Sequence, residues 1–310
     1  MSPNRSGRSN LYIAYRKIRF LSKKGSLFNL PEKSAKSKSG IPASTFRLIS
    51  VNSLLLFLLA YLAIYILHLT LTGIAAYASG IPNILYFDGV DFIIRGKDWT
   101  SDAINIVFSS GPLFMIFLSA IFIIIYISVE TETGILRLFL LWLLFHALTR
   151  SMGEILVGTI MNKGFGFVIL YLFIMDTGKL ILTISSFVLM STIGIFLARP
   201  ALFSANIYFN DLLKSYRMRF ILNQFILPYL IGNILIFLVK LPSINIFDIA
   251  VNASMILFLF PIMVRSASIE DLYFDEESRK IPFSILLPVI TVLLIAVFRV
   301  VFGIGIRLML

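Results

Sequence analysis

Seven stretches of this chain are long and apolar enough to cross a bilayer, and that repeated pattern limits its possible folds more than any other feature. They are residues 49–75, 104–128, 138–161, 167–198, 220–238, 249–264 and 282–304. A spanning helix needs about 20 mostly apolar residues. In hydrocarbon, every backbone polar group must be satisfied within the protein, which leaves only helices and closed barrels. Runs of this length specify helices. The expected fold is an all-α integral membrane protein, a bundle of six or seven transmembrane helices. Residues 249–264 are short and contain Asn252 and Pro261, so six spans is the alternative.

Charge is concentrated at one end. Only 14% of the 310 residues are charged, against 58% hydrophobic. Residues 1–50 hold eleven of the 27 Lys and Arg and a single acid, Glu32, which supplies nearly all of the net charge of +11. This basic segment is expected to form a largely disordered tail over residues 1–48, preceding a membrane domain over 49–310. Its excess of cations belongs on the cytoplasmic side. Alternation over seven spans then places nineteen Lys and Arg inside and five outside, with the C-terminus out. Residues 11–30 read as a basic amphipathic helix on the anionic inner leaflet, with Arg16, Lys17, Arg19, Lys23 and Lys24 as its surface contacts. Because the basic charge belongs to a tail, it does not argue for a nucleic-acid-binding fold. The tail is too long for a signal peptide. The composition suits a bacterial inner-membrane protein.

Within the apolar runs, a few polar residues stand out. His146, Arg150 and Glu154 fall at i, i+4 and i+8, on one helix face. Charges at bilayer depth are costly and normally face a bundle interior or a wet cavity. Asp176 and Lys179 open the overlong fourth run. If residues 167–173 lie along the interface and the true span is 178–198, these two reach the level of Glu154. The Lys163-Gly164-Phe165-Gly166 turn would bring the helices together antiparallel. A polar cluster between spans three and four, built from His146, Arg150, Glu154, Asp176 and Lys179, is therefore expected. It reads either as a proton or substrate relay or as an ion-pair network that fixes helix packing. His68 reads as a packing histidine, Lys240 and Asp248 as membrane-boundary residues, and Arg299 and Arg307 as snorkelling cations.

Elsewhere, Tyr86-Phe87-Asp88-Gly89-Val90-Asp91-Phe92 carries a hairpin signal around Asp-Gly. Residues 205–219 suggest an interfacial amphipathic helix. The acidic segment 266–280 is a solvated loop or a surface for a protein partner. The absence of cysteine excludes disulfides and thiol chemistry, and two histidines argue against a histidine-rich metal site; no cofactor is expected. No zinc-protease, nucleophile-elbow, phosphate-loop or dinucleotide motif is present. Enzymatic activity is thus disfavoured. Two functions remain open: a transporter-like or permease-like protein, or a non-catalytic membrane subunit or scaffold that holds partners through the tail or the 266–280 loop. An intramembrane enzyme lacks a motif to support it.

Overall fold

In the computed structural model, the described residues are 43–129, 134–269, 272–274 and 285–309. The tail contacts Arg16, Lys17, Arg19, Lys23 and Lys24, and most of the acidic 266–280 segment, lie outside them. Among the described residues, seven helices are long and apolar enough to cross a membrane. They are α1 (Ala43–Ala78), α2 (Ser101–Ser128), α3 (Gly134–Met161), α5 (Asp176–Ile207), α6 (Lys214–Lys240), α7 (Ile246–Ser266) and α8 (Leu286–Ile304). A short helix, α4 (Phe165–Tyr171), precedes α5. The long fourth run of the sequence is thus two helices, broken between Tyr171 and Asp176. Residues 205–219 do not form a separate surface helix. They contain a 3-10 turn, a strand and the first turns of α6, in which Arg217 is buried.

Two small sheets tie the loops together. At one end β1 (Asn83–Tyr86) pairs antiparallel with β2 (Gly89–Phe92), and on its other edge with β5 (Ile306–Leu308), Ile84 lying opposite Arg307. The hairpin turn falls on Phe87-Asp88, one residue before the Asp-Gly of the sequence signal. At the other end β3 (Asp211–Leu212) pairs with β4 (Leu272–Tyr273). The chain leaving α1 and the chain leaving α8 therefore meet at the same end. That requires an odd number of crossings between the start of α1 and the end of α8, and seven helices meet the requirement where six would not.

The hairpin is anchored to the bundle. Asn83 is fully buried and donates to the carbonyls of Gly73 (3.0 Å) and Ile81 (3.1 Å). The Tyr65 hydroxyl donates to the Phe87 carbonyl at 3.0 Å.

The most enclosed helix is α3, followed by α1, whereas α2, α5 and α8 turn most of their surface outward. Close helix approach depends on small residues. A Cβ on Gly194 of α5 would collide with the Phe258 carbonyl of α7, and one on Gly232 of α6 with the Phe57 ring of α1. The turn from α3 into α4 is equally tight. Asn162 takes a left-handed conformation (φ 52°) as the C-cap of α3, and a Cβ on Gly166 would strike the Gly158 carbonyl.

Breaks in the helices have local causes. Pro228 has no N–H to offer the Gln224 carbonyl, and the helix widens into a π-turn over Leu222–Ile226 just before it. The Ser53 hydroxyl of α1 donates to that carbonyl and itself accepts from Trp142 Nε1 at 2.9 Å. In α7 the helix is interrupted after Ala253, whose carbonyl accepts from the Tyr229 hydroxyl at 2.9 Å.

Candidate functional site

The stripe on α3 crosses a second π-turn, Thr149–Gly153, which begins one residue before Arg150. A π-turn inserts a residue, so it rotates everything after it relative to the preceding helix. His146, Arg150 and Glu154 are all buried. They have separate partners instead of forming one line.

His146 sits in an aromatic nest. Its ring lies 4.6 Å from Phe57, 5.6 Å from Tyr61 and 6.3 Å from Trp142, centroid to centroid. Four residues on, Arg150 Nη2 forms a 2.6 Å ion pair with Asp248 and donates to the Asn252 amide oxygen at 3.1 Å. Glu154 meets His68 Nε2 of α1 at 3.0 Å. The His68 imidazole lies so close to Gly111 of α2 that a Cβ there would fall about 2.5 Å from it. Successive residues of α3 thus meet successive residues of α1, as they do when the two helices run in the same direction. Spans one and three of an alternating bundle must do so.

The dominant feature is the group around Asp248. One carboxylate oxygen takes Arg150 of α3, and the other takes Lys240 of α6 at 2.7 Å. Three helices therefore converge on a single acid, with all three charged residues buried. Asp248 lies in the first turn of α7, where the helix dipole favours a negative charge. Its N–H donates to the Asn245 side chain at 3.3 Å, which caps the helix and fixes the carboxylate. Below the cations lie Tyr61 and Tyr65, stacked at 5.4 Å on one face of α1. Lys240 Nζ stands 3.6 Å from the Tyr65 ring centre, and the Arg150 guanidinium 5.0 Å from it. Cations over aromatic faces gain from the ring quadrupole, and more so away from water.

Lys240 closes α6 and Asp248 stands in the first turn of α7. At these helix ends they are buried and paired with each other, where the sequence suggested only residues marking a membrane boundary. The contact expected between Glu154 and Asp176 or Lys179 is not made. Asp176 is fully exposed at the start of α5 and pairs with Lys179 at 3.6 Å. The break after α4 lets α5 begin at the bundle surface, which keeps both residues out of the interior. The charged group joins α3 to α6 and α7, where a cluster between spans three and four was expected.

The residues missed by sequence reasoning left a signal in it. Asp248 and Asn252 are four apart at the start of one apolar run, and Tyr61, Tyr65 and His68 share a face of another. These are the surfaces that meet α3.

The charged group borders a cavity of about 420 Å³ between α6 and α7. Lys240, Asp248, Asn252, Asn233 and Tyr229 line its inner side, and Leu230, Ile234, Phe237 and Ile249 its flanks. Its volume is in the range of small-molecule sites, roughly 300–1,000 Å³. Among the described residues, no group of three or more His, Asp or Glu is placed to hold a metal ion. No family model, curated protein or solved structure matches this chain.

Proposed function

We propose that this protein is a permease-like integral membrane protein whose working centre is the Arg150–Asp248–Lys240 group beside the cavity between α6 and α7. One observation carries the reading: three buried charges from three different helices meet at the edge of a cavity large enough for a small molecule. Buried ion pairs contribute little net stability, because the desolvation of each ion offsets its attraction. A network placed on a cavity wall has a use for that cost, since it can exchange one partner for a ligand.

Arg150 and Asp248 form the fixed pair, and Lys240 is the cation the cavity reaches first. Both helices that carry the pair are irregular beside it: α3 at its π-turn and α7 at the break after Ala253. Irregular turns of this kind recur at functional sites and let a helix segment shift without unfolding. His146 packs the bundle, Glu154 and His68 tie α1 to α3, and Asp176 and Lys179 are surface residues. The excess of Lys and Arg in the tail directs the N-terminus to the cytoplasm, against the anionic inner leaflet. The hairpin end of the bundle then faces outward.

The chain lacks cysteine, so single cysteines can be introduced without background. Asn245→Cys at the cavity rim and Asn252→Cys at its inner side, in intact vesicles, are each exposed to a membrane-impermeant thiol reagent. A permease predicts that both label, Asn252→Cys more slowly. If Asn252→Cys is labelled only after denaturation, the cavity is not a water-connected path. The protein is then better described as a scaffold, and partner capture through the tail becomes the experiment of interest.

A further inference from the structure

The cavity has two unlike ends, and their arrangement points to a class of ligand. On α6, Leu230, Ile234 and Phe237 follow one another at helical spacing and are 51%, 60% and 37% exposed. With Ile249 of α7 they make an outward-facing apolar cleft. Toward the turn that joins the two helices, the lining becomes polar, with Lys240, Ser243, Asn245 and Asp248. The polar groups farther from the turn are already satisfied. The Asn233 amide donates to the Tyr229 carbonyl at 2.8 Å, and the Tyr229 hydroxyl to the Ala253 carbonyl. This leaves the charge at the turn end as the feature that a ligand headgroup would meet.

That charge is positive. Arg150 and Lys240 share the single carboxylate of Asp248. At the rim, the Asp88 carboxylate accepts from Ser243, while the Arg299 guanidinium lies 3.7 Å over the Phe87 ring and donates to the Leu241 carbonyl at 2.8 Å. At the cavity wall itself, two cations, Arg150 and Lys240, are held by one carboxylate, Asp248. A lysine ammonium is a natural partner for phosphate, which it binds as a point charge.

We propose that the cavity binds an anionic phospholipid, which enters sideways from the bilayer with its chain along Leu230, Ile234 and Phe237 and its phosphate against Lys240. The inference rests on the reading of the bundle as membrane-spanning and of this cavity as its working site. It does not require transport. The depth order is that of a lipid: apolar cleft deeper along α6, cation at the turn end.

The test uses the full chain in phosphatidylcholine vesicles doped with either of two probes, phosphatidylglycerol or phosphatidylcholine carrying a photoreactive group on one acyl chain. Adducts are mapped by peptide mass spectrometry. Preferential phosphatidylglycerol adducts on α6 and α7 are expected, reduced about fivefold to tenfold by Lys240→Gln, as loss of one charge near a lipid phosphate implies. Lys240→Gln leaves Arg150 and Asp248 as a one-to-one pair, so the bundle retains a balanced charge. A second variant, Ile234→Trp, fills the cleft without touching the charges and should remove the adducts of both probes from α6 and α7.

Equal labelling by the two probes, or labelling indifferent to Lys240→Gln, overturns the proposal. So does displacement of the phosphatidylglycerol adduct by inorganic phosphate, which would identify a soluble anion as the ligand. The cysteine experiment is read separately. Thiol labelling without lipid preference sinks this proposal alone, and lipid preference with an unlabelled Asn252→Cys upholds it while sinking transport.

Discussion

Replacing Asp248 with Asn removes one negative charge and leaves two cations facing each other in the bundle interior. Asn keeps the shape of the side chain, so packing is little changed and the effect is electrostatic. Arg150 and Lys240 lie 2.6 and 2.7 Å from the carboxylate oxygens, and both are buried. Removing one partner of a buried pair typically costs about 3–5 kcal/mol, because the other charge stays behind uncompensated. Two cations lose their partner here, so the cost should reach the upper part of that range. For a chain of this size the lower bound already corresponds to a fall in Tm of roughly 5 °C. The assay is thermal unfolding of the purified protein in a fixed detergent, followed by Trp fluorescence and by loss of the monodisperse species. A companion variant replaces the whole group, Arg150→Met, Lys240→Met and Asp248→Leu, and removes the charges together with their desolvation cost. It should unfold near the wild-type temperature or above it. An Asp248→Asn protein within about 1 kcal/mol of wild type would refute the argument, because it would mean that water or the bilayer surface screens these charges.

Other consequences can be measured independently. Ser53→Ala leaves both the Gln224 carbonyl and Trp142 Nε1 without the hydroxyl that serves them; it should cost about 1–3 kcal/mol and change the Trp emission. Gly194→Val forces a side chain against the Phe258 backbone and should lower folded yield sharply, while Gly303→Ala, which meets nothing within 4 Å, should not. The cysteine pair Ile84→Cys and Arg307→Cys should form an oxidant-driven disulfide, because the two positions are opposed across β1 and β5; failure to cross-link would argue against the shared end of α1 and α8. Asp176→Asn should change stability by less than about 0.5 kcal/mol, since a solvent-exposed ion pair contributes little and this carboxylate is fully exposed.

Much of the fold was legible in the residue order. Seven helices follow from seven apolar runs, since hydrocarbon admits no unsatisfied backbone. The division of the fourth run was readable too: 32 apolar residues exceed one crossing, and Asp176, Gly178 and Lys179 interrupt them. Burial of His146, Arg150 and Glu154 followed from the cost of placing charge in lipid. The pairing of these residues was not legible. Helical periodicity assumes a regular 3.6-residue turn, and the π-turn at Thr149–Gly153 breaks that assumption within the stripe. Nor does hydropathy rank one helix neighbour over another. Lys240 and Asp248 fall at the ends of their apolar runs, where residues normally meet water, and only the packing of α6 and α7 against α1 and α3 encloses them.

The sequence by itself determined the class of structure, a bundle of six or seven apolar helices, and which residues must avoid lipid, because those depend on the free energy of moving each segment out of water. Which charge meets which, and where the cavity opens, were decided by tertiary structure alone. Those depend on helix rotation, on glycine contacts such as Gly194 with Phe258 and Gly232 with Phe57, and on a carboxylate far along the chain coming within 2.6 Å of Arg150.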